Sequence, residues 1–275
     1  MASPVARVPR SVWRQAGSSE GARAVPEETA VAFTYDTATY AVMMATPSDL
    51  EDFAYGLSFT EGVAQPDAIK QLEVVEDTVD GIPAIELRMW LHADAGTGFA
   101  ERRRSHVGPT GCGLCGIESL TEALKAPPRV GKGRIYSFEQ IMQAVEAMSP
   151  HQTLNHETRA VHAAGFWSAQ DGIGPVREDV GRHNALDKLA GALLRQGRDA
   201  ADGIVVLTSR VSVEMVQKAA AIGAPVIAAV SAPTALAIRM AEAAGITLIA
   251  IARKDGFEVF THRDRVQGER TSDVA

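Results

Sequence analysis

Only two cysteines occur in 275 residues, and they stand three apart, at Cys112 and Cys115. Closing so short a loop stabilises a chain little, so a secreted disulfide framework is excluded and the role of the thiols is either chemical or inert. Long apolar runs are missing as well. The best of them, Ala224 to Ile238, is broken by Pro225, Ser231, Pro233 and Thr234 and falls short of the roughly 18 to 20 apolar residues that span a bilayer. The first 25 residues contain Arg7, Arg10, Arg14 and Arg23 but no apolar stretch of the kind a signal peptide needs. These two absences predict a cytoplasmic protein with no membrane partner, in a compartment that keeps both thiols reduced. A positive excess is lacking too: 34 acidic against 27 basic side chains leave a formal charge of −7, which argues against nucleic acid as a partner. G-x-x-x-x-G-K-[ST] is absent, and G-x-G-x-x-G occurs only as Gly111 to Gly116, after an aperiodic stretch and not after a strand, so no common nucleotide-binding fingerprint applies.

What remains is the composition of an ordinary globular protein, 46% hydrophobic and 22% charged, long enough for one large domain or two small ones. Residues 1–28, rich in Arg, Ser, Gly, Ala and Pro without period, read as a disordered leader. Residues 29–130 read as a small α+β domain. It has two strands about Asp36-Thr37, a helix from Pro47 to about Thr60 with Asp49, Glu51 and Asp52 in its first turn, and strands at Gln71–Val75 and Ile82–Leu91 joined at Asp80-Gly81. An aperiodic stretch with Arg102, Arg103 and Arg104 leads into Gly-Cys-Gly-Leu-Cys-Gly at 111–116, followed by a short helix from Glu118 to Ala126.

Residues 131–265 alternate amphipathic helices with continuously apolar strands, at Gly203–Thr208, Pro225–Val230 and Ile246–Ile251 among others. That pattern predicts a parallel sheet covered on both faces, an α/β domain whose ligands bind beyond the carboxyl ends of its strands. A short tail, 266–275, closes the chain. The fold class is therefore α/β with a smaller α+β domain ahead of it.

Three groups of residues are candidates for chemistry. Glycines around Cys112 and Cys115 let a reaction partner approach the sulfurs, and a helix start just after them favours a thiolate. The residues alone leave open a redox pair, half of a zinc site, or two inert thiols; the one histidine pair with zinc-like spacing, His151-His156, stands in a featureless context. At Arg177–Lys188 a dense polar string marks a strand-to-helix junction, where Asp179, Arg182 and His183 are site candidates and His183 could act as general acid or base, or merely cap the helix. Ser209, Arg210, Ser231 and Arg253 follow three buried strands, as the hydroxyls and cations of a phosphate site would, although plain helix capping accounts for serines of this kind.

Taken together, Gly-Cys-Gly-Leu-Cys-Gly (111–116), Arg-Glu-Asp-Val-Gly-Arg-His-Asn-Ala-Leu-Asp-Lys-Leu (177–189) and Thr-Ser-Arg-Val-Ser-Val-Glu-Met-Val-Gln-Lys-Ala-Ala (208–220) resemble the formate dehydrogenase accessory sulfurtransferase family, FdhD. Thr46 to Gly56, His162-Ala163-Ala164 and Ser231 to Ala237 extend the resemblance over about residues 28–265. It implies a sulfurtransferase: a carrier that takes sulfur from a cysteine desulfurase as a persulfide on Cys112, with Cys115 beside it. The sulfur then passes to the molybdenum cofactor, bis(molybdopterin guanine dinucleotide), before insertion into apo formate dehydrogenase. It further implies a homodimer, no permanent metal on the protein, and a carboxyl-terminal three-layer domain similar to the cytidine deaminase fold without that fold's H-x-E and P-C-x-x-C zinc chemistry. Cofactor contact is implied for Ile251, Ala252, Arg253, Lys254, Asp255 and Gly256, with Ser209, Arg210, Arg182, His183 and Asp179 as further candidates. Two departures stand out: Ala250-Ile251 replaces a common Gly-Phe pair, removing an aromatic, and Arg159 replaces a glycine ahead of His162. The rival reading is a non-catalytic cofactor-binding chaperone, for which the cysteines would be dispensable. A thiol-disulfide oxidoreductase is a third, poorly matched to the missing βαβ context.

Overall fold

Backbone chirality sets the first hairpins. In the computed structural model, which describes residues 3–92 and 126–268, Asp36 and Thr37 both take positive φ, 45° and 71°, and Asp80 and Gly81 do the same at 51° and 82°. Such pairs match the natural twist of two antiparallel strands, so each closes a two-residue hairpin. The first joins β3 (Thr29–Tyr35) to β4 (Ala38–Ala45) and the second joins β5 (Ile69–Val79) to β6 (Ile82–Leu91). The four strands form one sheet in the order β4-β3-β6-β5, with β3 and β6 parallel. One face, carrying Val31, Phe33, Tyr35, Ile85, Leu87 and Met89, is buried with Phe53, Ala54 and Leu57 of α1 (Leu50–Thr60).

The described residues divide into two units, and neither is a continuous stretch of chain. The first takes residues 3–92, Gln152–Ala163 and Arg177–Gln196; the second takes Ala126–His151, Ala164–Val176 and 197–268. This differs from the contiguous division 29–130 and 131–265 expected above. The reason is a tertiary contact that local pattern does not carry. In the first unit, α1 packs on α4 (Arg182–Arg195), and the two helices meet at glycines. A β-carbon on Gly56 would lie 1.7 Å from the Asp187 carbonyl oxygen, and one on Gly191 would lie 1.8 Å from that of Asp52. Only glycine allows the backbones so close.

A second correction concerns residues 1–28. Instead of a disordered leader, β1 (Val5–Arg14) and β2 (Gly17–Pro26) pair antiparallel over ten residues each, as a separate two-stranded sheet. Its base is tied to α3 (Thr153–Thr158) by Arg23, whose Nη2 donates to the Thr158 carbonyl at 3.4 Å, and by an Arg7–Glu157 ion pair of 3.6 Å.

A six-stranded sheet, β13-β12-β11-β10-β8-β9, forms the core of the second unit, except that the first two residues of β8 and the last three of β9 belong to the first. Here β8 is His162–Ser168, β9 Gly172–Asp179, β10 Gly203–Leu207, β11 Val226–Ala229, β12 Thr247–Arg253 and β13 Gly256–Val259. The expected parallel arrangement holds for β10, β11 and β12, while β8 and β13 run antiparallel to their neighbours β10 and β12. The central strands are buried along their length, as their unbroken apolar text requires.

The helices of this unit are α2 (Phe138–Ala147), α5 (Val213–Ala221) and α6 (Ala235–Ala244). Ser137 and Gln140 form a reciprocal capping box at the start of α2, and Thr234 caps α6, which stops at Gly245 with φ 76°. Residues 266–267, read as tail, form β14, which pairs in parallel with β7 (Tyr136–Ser137). Arg265 anchors the adjoining turn, donating to the carbonyls of Gly131, Lys132 and Gly245 and to Thr247 Oγ1. The expected helix at Glu118–Ala126 falls almost wholly outside the described residues.

Candidate functional site

The polar string at 177–188 belongs to the first unit, where the end of β9 turns through Val180-Gly181 into α4. Most of its charged groups are committed to contacts within this unit, and two of them hold the turn. Asp179 Oδ1 accepts from Gly181 N at 2.7 Å and from Asn184 Nδ2 at 2.9 Å, and Oδ2 accepts from Thr46 N at 3.0 Å and from Lys188 Nζ at 2.7 Å. A carboxylate has about four acceptor positions, so this one is saturated by protein donors. Asp179 thus commits its acceptor positions to fixing the turn. Lys188 and Asn184 continue the network, donating to the Thr46 carbonyl at 2.8 Å and the Met44 carbonyl at 2.9 Å. Glu178 serves α3 in a similar way, accepting from the Leu154 and Asn155 amides at 2.8 Å each. Asp52 joins Arg177 and Arg195 at 2.6 Å each.

What this frame holds up is a nitrogen-rich surface at the start of α4. Arg182 and His183 occupy the first turn, where no acidic residue is found, and Arg182 Nε is a buried donor with no partner among the described residues. His162, at the head of β8, is electrostatically coupled to both of them. Burial lowers its pKa, Arg182 and His183 lower it further, and Asp179 opposes the shift. An imidazole beside an arginine and the positive end of a 14-residue helix makes a donor-rich surface suited to an anion. In the sequence His162 stands only in a His-Ala-Ala string; the fold sets it, at the head of β8, next to β9, which leads into the 182–183 pair.

The remaining candidates lie in the second unit, past the carboxyl ends of β10, β11 and β12. Backbone bonds stitch these ends together: Val230 N to the Leu207 carbonyl (3.0 Å), Val211 N to the Ala232 carbonyl (3.2 Å), Thr234 N to the Val211 carbonyl (3.0 Å) and Ile251 N to the Ser231 carbonyl (3.2 Å). Ser209 and Arg210 are thus brought to the same sheet edge as the 251–256 segment. Plain capping does not account for the serines here: Ser209 Oγ donates to the Arg210 carbonyl, and Ser212 stands before α5 without a capping bond, its buried Oγ without a partner among the described residues.

The 251–256 segment is itself unusual. Ile251 takes φ 53°, a conformation that a β-branched residue adopts only under constraint, and the β12–β13 register shifts between Ala250 and Arg253. Ala252 is buried, whereas Arg253, Lys254 and Asp255 are exposed on the turn that Gly256 closes. Beside Gly256 lies Phe138, its ring stacked on Phe257 with centroids 5.3 Å apart and planes at 23°, and 44% exposed. An aromatic surface is present after all, from α2 and β13, although position 251 lacks one. Cations, a strained turn and an open aromatic face together suit a ligand that carries both phosphate and a flat ring.

At the amino-terminal end of β10 a cleft of about 300 Å³ is lined by Arg134, Arg198, Asp171 and Asp202. Its arginines are paired with its aspartates at 2.8 and 3.2 Å. It holds no free charge for an anion and lies away from the strand ends described above.

Cys112 and Cys115, with Arg102–Arg104, lie outside the described residues. Among the described residues no three His, Cys, Asp or Glu side chains gather to hold a metal, and no helix is long and apolar enough to cross a membrane.

Comparison with known proteins covers nearly the whole chain. Residues 26–267 match the model of the FdhD/NarQ family. A sulfur carrier protein FdhD of Agrobacterium fabrum is 52% identical over 263 residues, 94% of this chain and 95% of that one. Its counterpart in Brucella abortus is 48% identical over 254 residues, 92% and 93% of the two chains. In three dimensions the chain is similar to a crystal structure of a formate dehydrogenase accessory protein from Desulfotalea psychrophila. That likeness has a TM-score of 0.78 at 24% identity and covers 96% of this chain and all of the other.

Proposed function

The chain belongs to the FdhD/NarQ family, and from that premise we propose that it is a sulfur carrier serving the maturation of formate dehydrogenase. The observation that carries this reading is the 52% identity, across 94% of the chain, to a protein named as a sulfur carrier. Cys112 is the carrier residue in this account. Its thiolate attacks the outer sulfur of a persulfide on a cysteine desulfurase, the S–S bond of that persulfide breaks, and the desulfurase cysteine leaves as a thiolate. No net oxidation occurs, and Cys112 now holds the sulfur for delivery, with Cys115 as its neighbour.

The recipient is the molybdenum cofactor in its bis(molybdopterin guanine dinucleotide) form, bound as substrate before it enters apo formate dehydrogenase. Arg210, Arg253 and Lys254 meet its phosphates, Ser209 supports Arg210 through the backbone, and Phe138 with Phe257 offers a face to guanine in place of the absent aromatic at 251. Arg182 and His183, with His162, form a second anion-binding surface. Asp179 contributes by holding the turn before α4. The protein works in the cytoplasm as a homodimer.

Complementation tests the carrier role against a purely cofactor-binding chaperone. In cells lacking their own copy of this protein, Cys112→Ala is expected to abolish formate dehydrogenase activity while accumulating as a folded protein. Full activity with Cys112→Ala/Cys115→Ala would overturn sulfur transfer and leave the chaperone.

A further inference from the structure

A two-stranded ribbon with both faces in water is marginal in isolation, because it buries too little apolar surface to offset the cost of ordering it. The β1–β2 arm is such a ribbon. Beyond its base it is exposed, Trp13 near its tip to 81%. Its charge is also opposite to that of the molecule. Arg7, Arg10, Arg14 and Arg23 against Glu20 give residues 5–26 three net positive charges, so that the remaining residues carry ten net negative ones. Among the described residues Arg10 and Arg14 take part in no ion pair.

The same unit offers a complementary surface. Its four-stranded sheet has two edges, and they are not alike. Edge strand β4 has no charged residue, while edge strand β5 carries Glu73, Glu76 and Asp77 against the single cation Lys70, with Asp80 in the turn beyond it. Lengths agree as well, ten residues in each arm strand against eleven in β5.

Side-chain alternation adds a match on both faces. Cross-strand pairing puts Arg10, Arg14 and Arg23 on one face of the arm, and Pro9 and Trp13 on the other, with Arg7 and Glu20 of opposite charge beside them. In β5, Glu73 and Asp77 face away from the core, while Leu72 and Val74, half-buried, lie on the core side as partners of Met89 and Leu87. Arg10 and Arg14 are four residues apart, as are Glu73 and Asp77, a separation of about 13 Å on either strand. One docking therefore sets arginines against carboxylates on one face and lays Trp13 over Leu72 and Val74 on the other.

We propose that the β1–β2 arm of one molecule adds to the β5 edge of a second copy, and that the second returns its own arm, giving a two-fold symmetric dimer. The proposal rests on the homodimer reading above and names the surface that makes it. Edge-to-edge addition also shields two open edges that would otherwise invite uncontrolled association.

Sedimentation of the full chain under reducing conditions tests it. The wild type is expected to be dimeric. Arg10→Glu/Arg14→Glu and Glu73→Lys/Asp77→Lys should each weaken dimerisation by about tenfold or more, an effect expected when facing charges become like. A chain carrying both reversals should dimerise as the wild type does. In parallel, benzoylphenylalanine at position 13, in a mixture of ¹⁴N and ¹⁵N protein, should cross-link to residues 69–79 of the other isotopic copy. A dimer indifferent to every reversal, with the cross-link elsewhere, overturns the arm docking and leaves the homodimer standing. A monomer at all concentrations overturns both. Circular dichroism of each variant separates loss of the interface from loss of fold.

Discussion

Asp179 and Lys188 form an ion pair of 2.7 Å in which both side chains are completely buried. The pair links the end of β9 to the middle of α4, and through Thr46, which bonds both partners, it reaches the β4–α1 connection. Removing one charge leaves the other stranded in the interior, a loss that costs about 3–5 kcal/mol, whereas removing both together costs much less. Lys188→Met alone should lower the unfolding free energy in urea by that amount, and Asp179→Asn/Lys188→Met should recover part of it. A single-variant loss below about 1 kcal/mol would show that the pair does not hold this turn.

The α1–α4 contact makes a second prediction. Gly56→Ala and Gly191→Ala each place a methyl group within 2 Å of a backbone oxygen on the opposite helix. The gain in helix propensity, about 1 kcal/mol, is smaller than the cost of pushing two helices apart, so both variants should be destabilised by about 1–3 kcal/mol net. Gly21→Ala, where nothing lies within 4 Å of the new carbon, serves as control and should change stability by no more than about 0.5 kcal/mol. Thermal denaturation of the three variants decides it.

His162 gives a pH dependence with a definite sign. Its imidazole pKa is lowered by burial first, then by Arg182, so the folded chain binds this proton less well than the unfolded chain does. His162 therefore costs no stability above the unfolded value near ~6.5. The cost grows as pH falls from there to the lowered folded value, and is constant below it. Titration followed by NMR should give a midpoint below ~6.5, and Arg182→Gln should raise it without restoring the ordinary value, because burial remains. A wild-type midpoint at or above ~6.5 contradicts this description of the site.

At the sheet edge, Arg210→Gln and Arg253→Gln should each weaken binding of guanosine diphosphate, used as a probe, by about tenfold, the lower end for a charged hydrogen bond because both side chains are exposed. Phe138→Ala should weaken it to a similar extent through lost stacking. Arg134→Gln, in the self-neutralised cleft at the other end of β10, should leave affinity unchanged. Isothermal titration calorimetry reads all four; equal losses at Arg134 and Arg253 would mean that only net charge matters.

Much of this architecture was legible in the sequence because local chemistry dictates it. Asp80-Gly81 announces a tight hairpin, and unbroken apolar runs such as Gly203–Leu207 a doubly covered strand. The arm at 5–26 was not legible, since its Arg, Ser, Gly, Ala and Pro text has no alternation and is ordered by backbone pairing along the ribbon. Nor could local pattern show that α4 belongs with α1, because the deciding feature is a backbone approach at Gly56 and Gly191. At the candidate site, residue types marked out segments but not their division of labour. Only bond geometry separates a saturated Asp179 from an open Arg182, and only the fold brings Phe138 beside Phe257.

The central claim is that Cys112 carries sulfur. It is tested most directly by intact-protein mass spectrometry of wild type and Cys112→Ala after incubation with a cysteine desulfurase and cysteine. The account predicts that the wild type gains the mass of one sulfur atom, that reductant removes it, and that Cys112→Ala gains none. An unmodified wild type, or an adduct retained in Cys112→Ala, would contradict it.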